Sequence, residues 1–440
     1  MESELLTIVM FLMLGGLIFL GVPIVFSLGT VAVIIGYFLW GSNSLFLLSS
    51  HVHGVIFNYT LMALPFFLFM SNVLRESNIA EDIYDFMHKW TGALPGGLAI
   101  GTILTCAIIA ALSGVSAVGV MAMGTLAMPA MIARGYNKRI SAGAILGGGA
   151  LGQLIPPSVL ALVYSNIATV SVGKMFLAGV LPGILLTGLY VLYILIRSLI
   201  NKKLCPPMSP KDLAEITWSI RFASLLKIIP PVLIILAVLG SLFAGIASPT
   251  ESAAVGAAAS LLLAICYGRI NLAKLQNITL ETLKSSAMVL WIATSSLLFV
   301  AVYTGLGGST FIKETLMNLD LGPHMVLLII MLFVFMLGMV MDPVGIIYLL
   351  APIVLPIIID LNFDPIWFGG IFIVCLETSY LSPPFGYNLF YLKAVASDIL
   401  STKDVYAATP PFILLQVLAL ILCIIFPAII TWLPDYFLGP

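Results

Sequence analysis

The chain is built from long apolar runs separated by short polar breaks. Because a helix needs about 20 apolar residues to cross a bilayer, most of these runs predict membrane-spanning helices. The runs 158–169 and 384–396 are too short to cross and predict half-helices. Before the central polar break the runs cover 5–22, 24–40, 56–74, 97–112, 119–133, 140–155, 158–169 and 176–200. After it they cover 228–247, 252–267, 285–304, 325–341, 344–359, 366–382, 384–396 and 411–433.

Composition agrees with this pattern. Hydrophobic residues make up 61% of the 440 residues and charged residues only 8%, with a mean hydropathy of +1.17. A soluble chain carries about 25% charged residues, because its surface must face water. The sequence therefore predicts an all-α polytopic membrane protein whose surface is largely covered by the lipid bilayer.

Several functional classes are excluded by the residue pattern. A net charge of -1 excludes a nucleic-acid partner, which needs a concentrated basic face. The five cysteines form no CxxC pair, and the four histidines lie near no carboxylate cluster, so we expect neither a zinc site nor a disulfide framework. No GxxxxGK[ST] motif occurs, so we expect no nucleotide and no organic cofactor. We find no arrangement of catalytic residues and expect transport rather than an enzyme activity.

The two halves of the chain share a spacing of prolines. Pro129 and the pair Pro156-Pro157 recur as Pro356 and the pair Pro383-Pro384, 227 positions later. Two consecutive prolines remove backbone donors and clash with the preceding turn, so each pair predicts a broken helix. The shared spacing indicates an internal repeat.

The basic residues orient the two repeats. Six of the eighteen lie within 197–227, which makes this segment cytoplasmic by the positive-inside rule. The connection 41–55 has no Lys or Arg, whereas its counterpart 268–282 has two basic residues near its start, so the repeats are inverted. Both termini are then expected on the periplasmic side, and no cleavable signal peptide is expected. Inverted repeats are typical of secondary transporters, which bind substrate near the midplane.

This topology divides the chain into three parts. Residues 1–200 form the first inverted repeat, 201–227 the cytoplasmic linker and 228–440 the second inverted repeat. In the first repeat we expect scaffold helices at 1–75, an interfacial arm at 79–90 and a transport part at 94–180. In the second we expect scaffold and arm at 228–322, a transport part at 325–410 and a final helix at 411–433.

The arm at 79–90 is predicted from its two faces. Ile79, Ile83, Phe86, Met87 and Trp90 share one face. On the other face lie Glu81, Asp82, Asp85 and Lys89. This pattern is typical of a helix in the cytoplasmic interface of the membrane, where it can brace a moving part against a fixed frame. The alternative is a plain polar connector.

Each half carries a turn inside an apolar stretch and, further on, a broken helix. In the first half, the turn 113–116 interrupts 97–133, and the break follows at 151–158. The 37 residues 97–133 exceed one crossing without any charge between, which predicts a re-entrant hairpin. In the second half, Asp342-Pro343 interrupts 325–359 and the break lies within 376–388. Freed carbonyls at such breaks suit Na⁺, and the following helix N-terminus suits an anion. Close helix packing at the small residues and simple proline kinks are the alternatives.

Three ionisable residues lie in these apolar spans. Asp342 is the favoured cation-site residue, since a carboxylate in the membrane must be paired or wet. Glu251 follows Pro249 and is either a helix cap or a cation ligand. Glu377 is either functional or a structural group paired across the bundle. Because no Arg lies in a long apolar run, an anionic substrate must rely on helix termini, hydroxyls or the peripheral Lys174 and Lys393.

Six motifs together resemble the large membrane subunit of tripartite ATP-independent periplasmic (TRAP) transporters. They are Leu112-Ser113-Gly114-Val115-Ser116, Gly152-Gln153-Leu154-Ile155-Pro156-Pro157-Ser158, 176–183, Pro249-Thr250-Glu251-Ser252-Ala253-Ala254, Met341-Asp342-Pro343 and 382–390. The resemblance spans nearly the whole chain. It implies an elevator-type fold with re-entrant hairpins. It also implies Na⁺-coupled import of a small organic acid across the bacterial inner membrane, together with a small four-helix membrane subunit and a periplasmic substrate-binding protein.

The resemblance also implies where the ligands bind. Sodium is expected where each hairpin tip meets a broken helix, at Ser113, Gly114, Gly152, Ile155, Asp342, Thr378 and Ser382. The substrate is expected at Ser113, Ser116, Pro157, Ser158, Ser379, Pro384, Tyr387 and Asn388. The alternatives are an autonomous Na⁺/dicarboxylate symporter of related fold, which needs no partner, and a channel.

Overall fold

The structure, a computed structural model, describes residues 3–318 and 321–439, and the described residues are helices and connections with no strand. The first half contains α1 (Ser3–Phe19), α2 (Ile24–Trp40), α3 (Ser44–Ile56), α4 (Ala63–Glu76), α5 (Ile79–Thr91), α6 (Gly97–Ser113), α7 (Ser116–Ala133), α8 (Lys138–Ala150), α9 (Val159–Ala168) and α10 (Val172–Ile200). The second half contains α11 (Pro210–Glu215), α12 (Trp218–Phe243), α13 (Pro249–Cys266), α14 (Leu272–Gly305), α15 (Gly308–Met317), α16 (Pro323–Gly338), α17 (Pro343–Asp360), α18 (Pro365–Leu381), α19 (Tyr387–Val395), α20 (Thr402–Ala408), α21 (Pro410–Ile425) and α22 (Ala428–Leu438). Short 3₁₀ turns cover Gly41–Asn43 and Leu151–Gln153.

Eight helical segments in the described ranges are long and apolar enough to cross a membrane. They are Ile24–Ile56, Ser116–Ala133, Val172–Ile200, Trp218–Phe243, Pro249–Cys266, Leu272–Gly305, Pro343–Asp360 and Thr402–Ile425. Large apolar side chains such as Phe19, Leu20 and Phe38 are exposed. Burying such groups in hydrocarbon is favourable, and leaving them in water is not. The chain is therefore a multi-pass membrane protein.

The helix bounds repeat along the chain. Helix α7 begins at Ser116 and ends at Ala133, and α17 begins at Pro343 and ends at Asp360, so both bounds are displaced by 227 positions. The bounds of the half-helices α9 and α19 are displaced by 228 and 227 positions, and those of α2 and α13 by 225 and 226. One difference is that α3 and α4 of the first half are replaced by the single long helix α14.

Helices of each half pack on helices of the other half. Helix α4 packs on α13, and its counterpart α14 packs on α2. Likewise α9 packs on α17, and α19 packs on α7. Each hairpin therefore contacts the half-helix of the other repeat, and the packed core of the protein needs both halves of the chain.

Two predicted boundaries differ from the structure. The predicted linker 201–227 overlaps α12, which already begins at Trp218. The predicted final helix 411–433 is two helices, α21 and α22, which part at Phe426 and Pro427 because proline cannot continue the backbone hydrogen-bond ladder. Apolar runs alone do not reveal such ends, since a membrane helix is apolar on all sides.

Helix α5 is the predicted arm and packs on α6 and α12. Its apolar face is buried at Ile79 and Ile83. Asp82, predicted on the polar face, is instead buried, because its carboxylate pairs with Arg269 and lies 3.6 Å from Nζ of Lys227. Arg269 also donates to the carbonyl of Ser77 at 3.0 Å. The ion pairs tie the arm to the connection between α13 and α14 and to α12.

Candidate functional site

The first hairpin consists of α6 and α7, which pack on each other and meet at Gly114. Gly114 has φ +62°, a conformation that glycine adopts without steric cost, and this lets the chain reverse within two residues. Nearby, Oγ of Ser113 donates to the carbonyl of Val115 at 3.3 Å. The predicted tip is therefore confirmed as a tight, locally hydrogen-bonded turn.

The first tip lies against the first broken helix, between α8 and α9. A Cβ on Gly152 would lie 2.9 Å from the backbone carbon of Val115 and 3.0 Å from Cα of Ser116. A Cβ on Gly114 would lie closer still to the carbonyl oxygen of Pro157. The structure therefore brings the predicted tip 113–116 and the predicted break 151–158 together, and both close approaches need glycine.

The first break is organised by Ser158. Its hydroxyl donates to the carbonyl of Gln153 and accepts from the backbone N–H of Ala161 at 3.3 Å, which caps α9. The Pro156-Pro157 peptide bond is cis, as is Pro383-Pro384. The side chain of Ile155 packs against Gly183 of α10, so only its backbone can face a cation.

The second tip begins α17 at Asp342. The carboxylate accepts from the backbone N–H groups of Val344 at 3.0 Å and Gly345 at 3.4 Å, as an N-cap does. Its other oxygen accepts from the hydroxyl of Tyr380 at 3.4 Å. Asp342 thus links the second tip to α18. Glu251, by contrast, forms a capping box with Ser248 at the exposed start of α13, which resolves that alternative in favour of a cap.

The second break joins α18 to α19 and is lined by buried hydroxyls. Thr378 donates to the carbonyl of Val374 at 2.8 Å, and Ser382 donates to the carbonyl of Thr378 at 2.9 Å. Ser379 donates to the carbonyl of Leu376 at 2.6 Å and packs against Gly338 at the end of α16. Pro384 is exposed and its carbonyl accepts from Tyr406 at 2.9 Å.

The two halves of the site meet through side chains. Oγ of Ser116 donates to Oδ1 of Asn388 at 2.7 Å. The rings of Tyr380 and Tyr387 stack with centroids 5.2 Å apart. Tyr387 also donates to the carbonyl of Val340 at 3.4 Å. Ser116 and Asn388 therefore form a contact between the repeats, whereas the contacts of Tyr387 lie within the second repeat.

A cavity of about 150 Å³ lies where both tips and both breaks converge. Gly114–Ala117 and Asp342–Val344 line it from the tips, and Gln153, Tyr380 and Tyr391 from the broken helices and α19. Leu68 of α4 and Met288 of α14 close its other side. We call the two hairpins together with the two broken helices the hairpin core, and α4 and α14 the outer helices. The cavity therefore lies between the hairpin core and the outer helices.

The lining includes residues that the sequence did not single out as site residues. Gln153, Tyr391, Ser285 and Met288 are among them. Gln153 lies within the motif Gly152–Ser158, and Tyr391 lies 227 positions after Tyr164, which is the offset of the repeat. Both residues could therefore have been found from the sequence. No sequence pattern marks Ser285 and Met288, because they lie in α14, a long apolar helix without a motif at these positions. Of the predicted residues, the following do not line the cavity: Ser113, Gly152, Ile155, Pro157, Ser158, Thr378, Ser379, Ser382, Pro384, Tyr387 and Asn388.

The polar atoms at the cavity are oxygen-rich. Among its lining residues in the described chain, Asp342 is the one charged side chain. Oε1 of Gln153 is buried without a hydrogen-bond partner, and so is Nδ2 of Asn388, whose Oδ1 accepts from the lining residue Ser116. Such buried polar groups normally have a partner. The described ranges hold no group of three His, Cys, Asp or Glu residues that suits a transition metal. The donor set instead fits a hard cation such as Na⁺, which binds hydroxyl, carbonyl and carboxylate oxygens.

Paired hairpins, paired broken helices and a central cavity between them define a secondary transporter of the elevator-type fold. A family model for the tripartite ATP-independent periplasmic transporter, DctM component, matches residues 9–429. The chain belongs to this family of TRAP transporter large permeases, and it is a transport protein and not an enzyme.

Three relatives and one solved structure illustrate the match. The C4-dicarboxylate TRAP transporter large permease protein of Pseudomonas aeruginosa is 36% identical, with 86% of this chain and 87% of that protein covered. Its namesake in Vibrio cholerae is 32% identical, with 98% of both covered. The isethionate TRAP transporter permease protein DctMQ of Oleidesulfovibrio alaskensis is 31% identical over 95% of this chain and 64% of that protein. The crystal structure of the YdaH transporter of Alcanivorax borkumensis has a TM-score of 0.64 at 15% identity, over 98% of this chain and 100% of that one, and supports the fold.

Proposed function

We propose that this chain carries out Na⁺-coupled import of a small organic acid across the bacterial inner membrane. It does so as the large subunit of a tripartite system, with a small four-helix membrane subunit and a periplasmic substrate-binding protein. The observation that carries the proposal is the convergence of both tips and both breaks on one cavity, bounded on its far side by α4 and α14. Movement of the hairpin core past these outer helices is the motion that an elevator mechanism requires.

The charge at the cavity supports the proposed sodium coupling. An organic acid placed beside Asp342 meets a like charge, and no basic side chain among the described lining residues offsets it. Two negative charges close together in a medium of low dielectric constant repel strongly. A cation bound between them removes the repulsion, so substrate and Na⁺ bind together. The N-terminus of α7, at Ser116, supplies the favourable dipole end for the carboxylate.

The names of relatives support the substrate class. Two large permeases that are 32% and 36% identical to this chain are named for C4-dicarboxylate. The isethionate relative extends beyond the part matched here, since only 64% of it is covered. The further segment of that relative is consistent with a second membrane subunit that works together with the large permease.

Co-purification followed by reconstitution tests the proposal. The chain is purified in mild detergent after light cross-linking, and a small membrane protein of about four helices is expected in equal amount. Liposomes with both subunits are then given the periplasmic binding protein and labelled succinate, a C4-dicarboxylate, with and without an inward Na⁺ gradient. Uptake that needs the gradient and the binding protein is the expected result. Uptake by this chain alone is the result for an autonomous symporter, and a non-saturable flux that ignores Na⁺ is the result for a channel.

Topology is tested separately. We propose that both termini are periplasmic and that 201–217, before α12, is cytoplasmic. Alkaline phosphatase is active only in the periplasm, so a fusion after Gly439 is expected to be active and one after Lys203 inactive. The reverse pattern would show the opposite orientation.

A further inference from the structure

A second buried polar cluster lies outside the cavity. Glu377 of α18 is completely buried, and neither of its carboxylate oxygens has a hydrogen-bond partner. No salt bridge reaches it from any part of the chain that the structure describes. From the sequence, Glu377 was either functional or paired with a residue across the bundle. No basic side chain in the described residues pairs with it.

The carboxylate faces two neutral side chains from neighbouring helices. Gln416 of α21 and Tyr190 of α10 are both completely buried and lie beside Glu377. Both polar atoms of the Gln416 side chain and the hydroxyl of Tyr190 also have no hydrogen-bond partner. The ring of Phe412, 5.3 Å from that of Tyr190 between centroids, seals the cluster on one side. Five polar atoms are thus buried together without partners.

Such a cluster is unfavourable as it stands. A buried carboxyl group is stable either with a compensating charge or after taking up a proton, and an unpaired amide and hydroxyl each lose the hydrogen bonds they made to water. An amide and a hydroxyl are dipoles, so they orient around a charge but do not cancel it. One bound monovalent cation balances one carboxylate, whereas a divalent ion would leave an excess positive charge in the membrane. The oxygens of Glu377, Gln416 and Tyr190 are ligands that a hard cation prefers.

We propose that Glu377, Gln416 and Tyr190 form an additional cation site, which binds Na⁺ and is separate from the hairpin tips. The ion joins α10, α18 and α21, which pack on one another around the cluster. The ion therefore stabilises the packing of α18 against α10 and α21. Glu377 lies two residues before Ser379, near the end of α18 where the second break begins. The inference rests on the proposed function only for the identity of the ion.

Equilibrium binding of ²²Na⁺ to the purified full chain tests the site. Glu377→Gln keeps the shape of the side chain and removes its charge. The expected result is one fewer Na⁺ bound per chain at saturation than in the unsubstituted protein. An unchanged number overturns the site, because the carboxyl is then neutralised by a proton instead. Cys375→Ala on the same helix, also buried, is the control and is expected to bind the full number.

Two further variants keep the test decisive if Glu377→Gln folds poorly. Tyr190→Phe removes one oxygen only, and we expect the same number of ions with an affinity at one site lowered about tenfold. Asp342→Asn removes the charge at the second hairpin tip and so tests the Na⁺ site proposed there. Loss of an ion in Asp342→Asn but not in Glu377→Gln, with Tyr190→Phe unchanged, overturns the additional site and leaves the proposed function standing. If the unsubstituted chain binds no Na⁺, both are overturned.

Discussion

The hydroxyl of Ser116 donates a 2.7 Å hydrogen bond to Oδ1 of Asn388, across 272 positions of the chain. Ser116 begins α7 beside the first tip, and Asn388 lies in the first turn of α19, just after the second break. Both side chains are buried. This bond is the direct polar link between the first hairpin and the broken helix of the other repeat, so it couples the two halves of the site.

Ser116→Ala tests that link. The substitution leaves Oδ1 of Asn388 buried without its donor, which costs about 1–3 kcal/mol. We expect lower thermal stability and an uptake rate reduced about tenfold, because the tip loses its fixed position. Ser260→Ala is the matched control: Ser260 is also buried, but its hydroxyl donates to the carbonyl of Ala257 in its own helix at 2.8 Å. Equal effects of the two substitutions would show that the cross-repeat bond has no special role.

Gly152→Ala tests the close approach of the first tip. The added Cβ would lie 2.9 Å from the backbone carbon of Val115, so the tip must shift to make room. We expect uptake to fall at least about tenfold, since a displacement of this kind at a binding site is costly. The measurement is uptake by reconstituted protein of verified folding.

Gly188→Ala is the control for this glycine. It lies in the middle of α10 with no atom within 4 Å of the added Cβ. Alanine favours a helix over glycine by about 1 kcal/mol, so this variant is expected to keep full uptake with equal or higher stability. A loss of uptake in both variants would mean that helix glycines matter for flexibility rather than for space.

Asp342→Asn separates the charge of Asp342 from its capping role. Asparagine caps helices about as well as aspartate, so α17 is expected to keep its start. The Na⁺ concentration for half-maximal uptake is expected to rise at least about tenfold, equal to about 1.4 kcal/mol of lost binding. Unchanged Na⁺ dependence contradicts a role for this carboxylate in the cation site.

Asp364→Asn is the matched control for the charge. Asp364 caps α18 in the same way, accepting from the N–H of Trp367 at 3.1 Å, but it is exposed and outside the cavity. It is expected to leave Na⁺ dependence unchanged. A similar shift in both variants would attribute the effect to helix capping and not to the site.

Asp82→Asn tests the ion pair between the arm and Arg269, in the connection between α13 and α14. The side chain of Asp82 is 11% exposed and that of Arg269 32%, so the pair lies between fully buried and surface pairs. We expect the free energy of unfolding to fall by about 1–3 kcal/mol, measured by denaturation in mixed micelles. Glu281→Gln, in an exposed pair with Lys284, is expected to change it by less than about 1 kcal/mol. A negligible effect of Asp82→Asn would mean that apolar packing alone holds the arm.

Local chemistry determined much of this protein from sequence. The pairs Pro156-Pro157 and Pro383-Pro384 each follow a polar or small-residue break, so the half-helices α9 and α19 were predictable, as was the start of α17 at Asp342-Pro343. A Pro-Pro pair alone does not decide a break, since Pro230-Pro231 lies inside α12. Apolar runs predicted a multi-pass membrane protein, and the spacing of the prolines predicted the repeat. These features depend on a few neighbouring residues and need no knowledge of the partners across the bundle.

Only the tertiary structure decided which side chains meet. Ser379 was predicted at the substrate but packs against Gly338, while Gln153 and Ser285 line the cavity. The contacts of Ser116 with Asn388 and of Glu377 with Gln416 likewise join distant helices. The physical reason is that a helix surrounded by lipid and by other helices is apolar on every side. Its sequence therefore carries no periodic signal for which face points inward, and packing between the two repeats makes that choice.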